Sequence, residues 1–91
     1  MALFAFHCRD GEHAPALRQT HLAAHIAHME AHIVDYAVAG PLKRGEATTG
    51  SLLVIKAADE AEARAKFEAD PYFTAGVWQA ISVAELRAVA G

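Results

Sequence analysis

Residues 21–35, HLAAHIAHMEAHIVD, have the periodicity of an amphipathic helix, and the rest of the chain is arranged around them. The stretch holds four of the six histidines, at spacings of four, three and four residues. At roughly 100° per residue, these imidazoles fall within about 60° of one another on a helix. A second stripe with the same spacings is apolar: Leu22, Ile26, Met29 and Ile33. We therefore expect a helix with an apolar core face and, flanking it, a histidine face.

Outward from this helix, the chain alternates between strand-like and helix-like segments. Strand-like composition occurs in residues 2–8, 36–42, 51–57 and 78–86. Helical patterns occur in residues 15–34 and 59–69, the second opened by the capping signature Asp59-x-x-Glu62 and ended by Asp70-Pro71. A polar loop with glycines, residues 43–50, separates the two middle strands and fits a hairpin. The predicted order is βαββαβ.

This order predicts an α+β fold of the ferredoxin-like type, with a four-stranded antiparallel sheet and two helices on one face. At 91 residues the chain is expected to form a single domain, residues 1–91. Leu53 and Ile55 alternate with Leu52 and Val54, so both faces of the sheet require burial. We expect a homodimer in which two subunits pack sheet against sheet, as a dimeric α/β barrel.

Composition excludes several classes of function. The net charge of −3 and the lack of a Lys/Arg run argue against nucleic-acid binding. An apolar run of about 18 residues is missing, so no membrane span is expected. The N-terminal sequence lacks the features of a signal peptide, and the single cysteine, Cys8, has no internal partner for a disulfide. We expect a cytoplasmic protein.

The histidine face raises the question of a metal site. Two His-x-x-x-His pairs, at residues 21/25 and 28/32, have spacing that can clasp a metal on a helix. No carboxylate joins this face, because Glu30 lies on the far side of the helix and Asp35 is past its last turn. We therefore predict neither a metal nor another cofactor. The alternative, metal capture, predicts metal in the purified protein that is lost when either histidine of the second pair is replaced by alanine.

Other polar residues admit two interpretations each. Asp70 before Pro71 is a common helix terminator, but a buried carboxylate that faces a histidine would orient the imidazole for acid–base work. Ser51 has no adjacent base and is not proposed as a nucleophile. Cys8 is expected to be a small buried hydrophobe. The aromatic Tyr72, with its neighbours, either lines a pocket for a planar ligand or packs in the core.

Five segments in order along the chain carry a family resemblance: FHC at 6–8, HIAHMEAH at 25–32, AGPL at 39–42, GSLLVI at 50–55 and DPYFTAGVW at 70–78. With them the chain resembles the YciI-like, YCII-related domain family of the dimeric α/β-barrel group. The resemblance implies the ferredoxin-like dimer already expected from the pattern. It also implies an active site made by a histidine of the first helix and by Asp70 of the Asp-Pro motif.

Two histidines compete for the family position. His21 is followed by Leu22, the usual pair, and Arg18 lies three residues before it, where the family often has an arginine. His25 has apolar residues at the next position and four residues on, and its distance to the AGP motif fits the family better. We assign His25, with His21 one turn earlier as a second wall of the same pocket.

The resemblance implies a cofactor-independent acid–base enzyme of the isomerase or lyase (dehydrochlorinase) type, acting on a small, aromatic-derived acid or lactone. Relatives of this fold include muconolactone isomerases and an enzyme that removes chloride from a chlorinated hydroxyquinol. We predict His25 and Asp70 as catalytic residues. The predicted substrate-binding residues are Arg18, His21, Pro41, Ser51 and Tyr72. The alternative is a small-ligand-binding or accessory dimeric module without turnover.

Overall fold

The computed structural model describes residues 1–90, which form one antiparallel sheet covered on one face by helices. The strands are β1 (Ala2–Asp10), β2 (Tyr36–Arg44), β3 (Ala47–Ala57) and β4 (Trp78–Leu86), in the spatial order β2-β3-β1-β4. The helices are α1 (Ala14–Ala31), α2 (Glu60–Glu68) and the short α3 (Pro71–Thr74), and a 3-10 turn (Ile33–Asp35) follows α1. The predicted ferredoxin-like α+β fold is confirmed.

The core lies between the central strand β1 and the helices. Phe4, Phe6 and Cys8 alternate along β1 and point inward, with relative exposures of 6%, 0% and 0%. The Phe6 ring stacks on Phe67 of α2 at a centroid distance of 4.3 Å, and Phe67 also stacks on Trp78 at 5.5 Å. This aromatic cluster anchors α2 to the middle of the sheet.

The β2–β3 hairpin is longer and its turn tighter than predicted. Both strands continue through the expected 43–50 loop, leaving a turn at Gly45 and Glu46. Gly45 has a φ of 62°, a left-handed conformation that glycine adopts without a Cβ clash. The polar side chains of this segment indicated a loop, but they lie on an exposed hairpin whose backbone pairing needs no apolar residues.

The predicted core face of α1 is wrong. Leu22, Ile26 and Ile33 are 48%, 45% and 60% exposed, and of that stripe Met29 packs against the core. The side that carries His25 faces the sheet instead. The two stripes have identical spacings, so periodicity alone could not decide between them; buried polar partners, described below, favour the histidine side.

The outer face of the sheet, opposite the helices, is largely apolar at its centre. Ala5 of β1 pairs with Val54 of β3 on one side and with Ala84 of β4 on the other. The charged residues Arg9 and Lys56 lie near opposite ends of the β1–β3 ladder, away from Ala5. Among residues 1–90, no helix is long and apolar enough to cross a bilayer.

Candidate active site

A hydrogen bond between α1 and the start of α3 forms the centre of the candidate site. His25 Nδ1 lies 2.8 Å from Asp70 Oδ1, and the two side chains are 19% and 0% exposed. Asp70 is the N-cap residue of α3, so Oδ1 also accepts from the Tyr72 backbone N–H at 2.9 Å. Oδ2 is buried with no hydrogen-bond partner among the described residues. The His25 N–H is therefore the side-chain partner of this buried carboxylate.

This contact fixes the tautomer of His25. A carboxylate oxygen accepts hydrogen bonds, so Nδ1 carries the proton and Nε2 keeps its lone pair. The proton-accepting atom is then the one that Asp70 does not use. A protonated imidazole would be stabilised by the same carboxylate, as an acid–base pair requires.

Tyr72 holds the plane of the imidazole. Its ring stacks on His25 at a centroid distance of 3.9 Å and an interplanar angle of 2°. Its hydroxyl donates to the Arg18 carbonyl oxygen at 3.1 Å, which ties α3 to the first half of α1. Burial raises the pKa of the Tyr72 phenol, which keeps this donor protonated. Tyr72 thus acts on His25 rather than forming an exposed wall for a ligand.

Arg18 is held in place by four hydrogen bonds. Its Nε and Nη2 reach Asp10 Oδ2 and Oδ1 at 3.0 and 2.7 Å, a bidentate pair. Nη2 also donates to the Gly50 carbonyl oxygen at 3.1 Å and to Ser51 Oγ at 2.9 Å. A Cβ at Gly50 would overlap the Cys8 carbonyl oxygen, so only glycine permits the close approach of β3 to β1 that positions Ser51.

A cavity of about 260 Å³ lies between α1 and the β2–β3 hairpin. Its polar wall consists of Arg18, His25 and Ser51. Its other wall is apolar or backbone: Met29, Ala39, Gly40, Pro41 and Leu53. A volume of about 260 Å³ fits a single substituted ring. The polar wall places the His25 imidazole, a base, beside two hydrogen-bond donors, Arg18 and Ser51.

The structure brings most of the predicted site residues together. The cavity is lined by four of them: His25, Arg18, Pro41 and Ser51. Asp70 lies outside this lining and is hydrogen-bonded to His25. His21 is partly buried, but it and Tyr72 lie outside the set of described residues that line this cavity. The predicted role of His21 as a second wall therefore has no support from the cavity geometry.

Two features of the site were not predicted. Asp10, the bidentate partner of Arg18, lies beyond the strand predicted at residues 2–8 but is the last residue of β1. No local pattern connects Asp10 with Arg18, because only the strand-to-helix connection brings them together. Met29 was predicted as core and also lines the cavity.

Cys8 is not a candidate nucleophile. Burial, followed by the charge of Asp70, raises the pKa of the Cys8 thiol to about 12, so Cys8 is a protonated core residue. Within residues 1–90, no group of three or more His, Cys, Asp or Glu side chains is arranged to hold a metal ion. The chemistry that the arrangement offers is proton transfer by His25.

Comparison with solved structures places the chain beside an enzyme of known activity. The chain is similar to 5-chloro-2-hydroxyhydroquinone dehydrochlorinase from Burkholderia phenoliruptrix AC1100, solved in complex with 2,5-dihydroxybenzoquinone. The TM-score is 0.82, with 27% sequence identity over 93% of this chain and 93% of that one. No curated protein matches the chain.

The family model of the YCII-related domain matches residues 2–87, nearly the whole chain. The matched region contains both partners of the 2.8 Å contact between His25 and Asp70 and every residue that lines the cavity beside them. The chain belongs to the YCII-related domain family.

Proposed function

We propose that the protein is a cofactor-independent acid–base enzyme of the dehydrochlorinase or isomerase type, acting on a small, oxygenated, aromatic-derived compound. One observation carries the proposal: the His25 imidazole is hydrogen-bonded at 2.8 Å to a fully buried carboxylate and lines a cavity of about 260 Å³. A lone surface histidine would not need such a partner. A positioned imidazole of this kind typically contributes about 10²- to 10⁴-fold to the rate.

In the proposed reaction, Nε2 of His25 removes a proton from the substrate. For a chlorinated hydroxyquinol, one hydroxyl loses its proton and becomes a carbonyl while the ring carbon that bears chlorine takes up a proton. A second hydroxyl, conjugated with that carbon, then loses its proton and becomes a carbonyl; its electron pair shifts through the ring as the C–Cl electron pair leaves with chloride. The net change is loss of HCl, which needs no oxidant or reductant. Asp70 stabilises the imidazolium until its proton passes to water.

The polar wall supplies the contacts for substrate oxygens. Arg18 lines the cavity, and its acceptors among residues 1–90 bind through Nε and Nη2, which leaves the Nη1 hydrogens for a ligand oxygen. Ser51 Oγ accepts from Arg18, so its own proton is free to donate. Leu53 and Pro41 provide the apolar surface that a ring requires. Two oxygens on one ring therefore suit this wall.

The structural relative supports the class of substrate. It is a dehydrochlorinase of 5-chloro-2-hydroxyhydroquinone, and its complex holds a dihydroxylated quinone of the size that the present cavity admits. The test is chloride release from 5-chloro-2-hydroxyhydroquinone by the purified protein.

We expect His25→Gln to lower kcat/KM by about 10²- to 10⁴-fold, because glutamine cannot accept the proton. The matched control is His13→Gln, since His13 is exposed and its side chain makes no capping hydrogen bond to α1. Equal chloride release by the native protein and His25→Gln would contradict the proposal.

The second candidate is binding without turnover. It is favoured by one detail: Asp70 Oδ1 caps the Tyr72 amide at 2.9 Å, a structural role that α3 needs whether or not catalysis occurs. This alternative predicts that 2,5-dihydroxybenzoquinone binds and that chloride is never released above the uncatalysed rate.

A further inference from the structure

A second cavity lies one turn further along α1 than His25, between the end of this helix and α2. Its volume is about 290 Å³, and it is formed by the end of α1, the 3-10 turn, the first residue of β2 and the last two turns of α2. His28, His32 and Tyr36 line one side, and the alanines at 65 and 69 line the other. No residue is shared with the cavity that contains His25.

The ammonium group of Lys66, which lines this second cavity, is already fully paired. Lys66 Nζ lies 3.0 Å from Asp35 Oδ1, donates to the Lys56 carbonyl oxygen at 2.9 Å and lies 3.2 Å from Glu62 Oε1. Three acceptors match the three protons of an ammonium group, so Lys66 has none left for an anion. Asp35 is likewise neutralised by Lys66. The cavity therefore suits an uncharged ligand.

The His32 imidazole lies beside Asp35, with Nδ1 3.9 Å from Oδ2. The other uncommitted polar groups of the cavity are the His28 imidazole and the Tyr36 phenol. Burial lowers the pKa of His28, so its ring is neutral near pH 7.5. Burial raises the pKa of Tyr36 to about 12, so its hydroxyl stays protonated and can donate. The Tyr36 hydroxyl lies 3.4 Å from His28 Nε2, longer than the roughly 2.7–3.0 Å of a well-formed hydrogen bond. This loose contact leaves one donor and one acceptor that a ligand can satisfy better.

A hydroxyl group is the ligand group that matches this pair, because it accepts from Tyr36 and donates to His28 at the same time. A carboxylate could only accept. The rings of His28 and His32 lie 4.7 Å apart and tilted by 41°, which makes an aromatic wall for a planar ring. Ala65 and Ala69 leave room opposite that wall.

We propose that this cavity is a second small-molecule site, separate from the His25 cavity, and that it binds an uncharged phenol through its hydroxyl between Tyr36 and His28. The site does not depend on the proposed enzymatic activity. Its occupant would contact α1 one turn from His25, and would contact Ala69, the residue after α2 and immediately before Asp70.

The test is a titration of isotope-labelled protein with phenol near pH 7.5, followed through the Cε1–Hε1 signals of the histidine rings. Phenol is used up to about 20 mM, because a fragment of this size binds in the millimolar range. We expect saturable shifts of the His28 and His32 signals, and no saturable shift with benzoate. Shifts confined to His25, equal binding of benzoate, or no saturable shift of His28 and His32 would overturn the proposal.

Variants locate the binding. Ala65→Leu fills the cavity and is expected to weaken phenol binding at least tenfold. Ala61→Leu, one turn earlier on the same face of α2 but outside the cavity lining, is expected to leave it unchanged. Tyr36→Phe removes one hydrogen bond and is expected to weaken binding about fivefold. Because the second variant keeps the ring that packs in the core, it tests the site even if Ala65→Leu folds poorly. Unchanged affinity in Ala65→Leu or in Tyr36→Phe would overturn the proposal.

Discussion

At the scale of single residues, His25 is held by two neighbours of different kinds. Asp70 fixes which ring nitrogen carries the proton, and Tyr72 fixes the plane of the ring. Tyr72 also donates its backbone N–H to the same oxygen of Asp70, so one residue constrains both members of the pair. Such aromatic stacking is worth about 0.5–1.5 kcal/mol beyond burial. The imidazole is therefore fixed in orientation before any ligand arrives.

Replacement of Tyr72 tests this positioning. Tyr72→Phe keeps the stacking ring and loses the hydroxyl bond to the Arg18 carbonyl, whereas Tyr72→Leu loses both. We expect kcat/KM for chloride release to fall less than about fivefold in the phenylalanine variant and up to about 100-fold in the leucine variant, because a misplaced catalytic group loses its alignment. KM should change less than kcat. Equal losses in the two variants would show that the ring does not position His25.

Residue-scale prediction from the sequence succeeded for His25 with Asp70 as a spatial pair and was incomplete elsewhere. The resemblance to the YCII-related family, carried in part by the Asp-Pro motif and the helical histidines, implied that pair. The sequence did not decide whether Tyr72 lines a pocket or packs in the core, because an aromatic side chain suits both environments. Asp10 gave no signal, because its bond to Arg18 depends on the angle at which α1 leaves β1.

At the scale of secondary-structure elements, α1 shows how tertiary contacts choose between two helix faces. The histidine stripe and the apolar stripe have the same spacings, and hydrophobicity alone favoured burial of the second. The histidine side is inward because Asp70 gives His25 a buried partner, and on the same side His28 lies 3.4 Å from the Tyr36 hydroxyl. Those partners come from α3 and β2, far away in sequence, and could not be read from the helix itself.

The start of α2 was predicted correctly from local sequence. Asp59 is its N-cap residue and accepts from the Glu62 backbone N–H at 2.9 Å. We expect Asp59→Ala to lower the free energy of unfolding by about 1 kcal/mol, measured by urea denaturation, because a helix-terminal amide loses its acceptor. Asp59→Ser keeps an acceptor and should lose much less. A stability loss of equal size in both variants would mean that the cap is not the cause.

At the scale of the whole molecule, the order of elements was predictable because each boundary has a local chemical signal. Gly, Pro and Asp mark the ends of segments, and the apolar runs mark the strands. The lengths of β2 and β3 were underestimated, because an exposed hairpin pairs through its backbone and leaves little trace in side-chain pattern. The apolar outer face of the sheet, centred on Ala5, remains the basis for the proposed homodimer.

A charge on this face tests the homodimer. Ala5→Glu places a carboxylate between Val54 and Ala84, on the face that packs against the second subunit in a sheet-to-sheet dimer. Burial of this unpaired charge would disfavour the dimer. Light scattering after size exclusion should give twice the 9.7 kDa chain mass for the native protein and a shift towards the monomer in the variant. The control is Ala23→Glu on the exposed side of α1. A native protein that is monomeric at micromolar concentration would contradict the proposed dimer.

The claim that Asp70 fixes the tautomer of His25 is tested most directly by a long-range ¹H–¹⁵N spectrum of the histidine rings near pH 8. The spectrum is recorded for the native protein and for Asp70→Asn. The His25 signals are assigned by their loss in His25→Gln. We predict that the ring carries its proton on Nδ1 and none on Nε2 in the native protein, and that it shifts towards the opposite tautomer when the carboxylate becomes an amide. The same ring nitrogen shifts in both proteins would mean that Asp70 does not control His25, and would contradict the proposed acid–base pair.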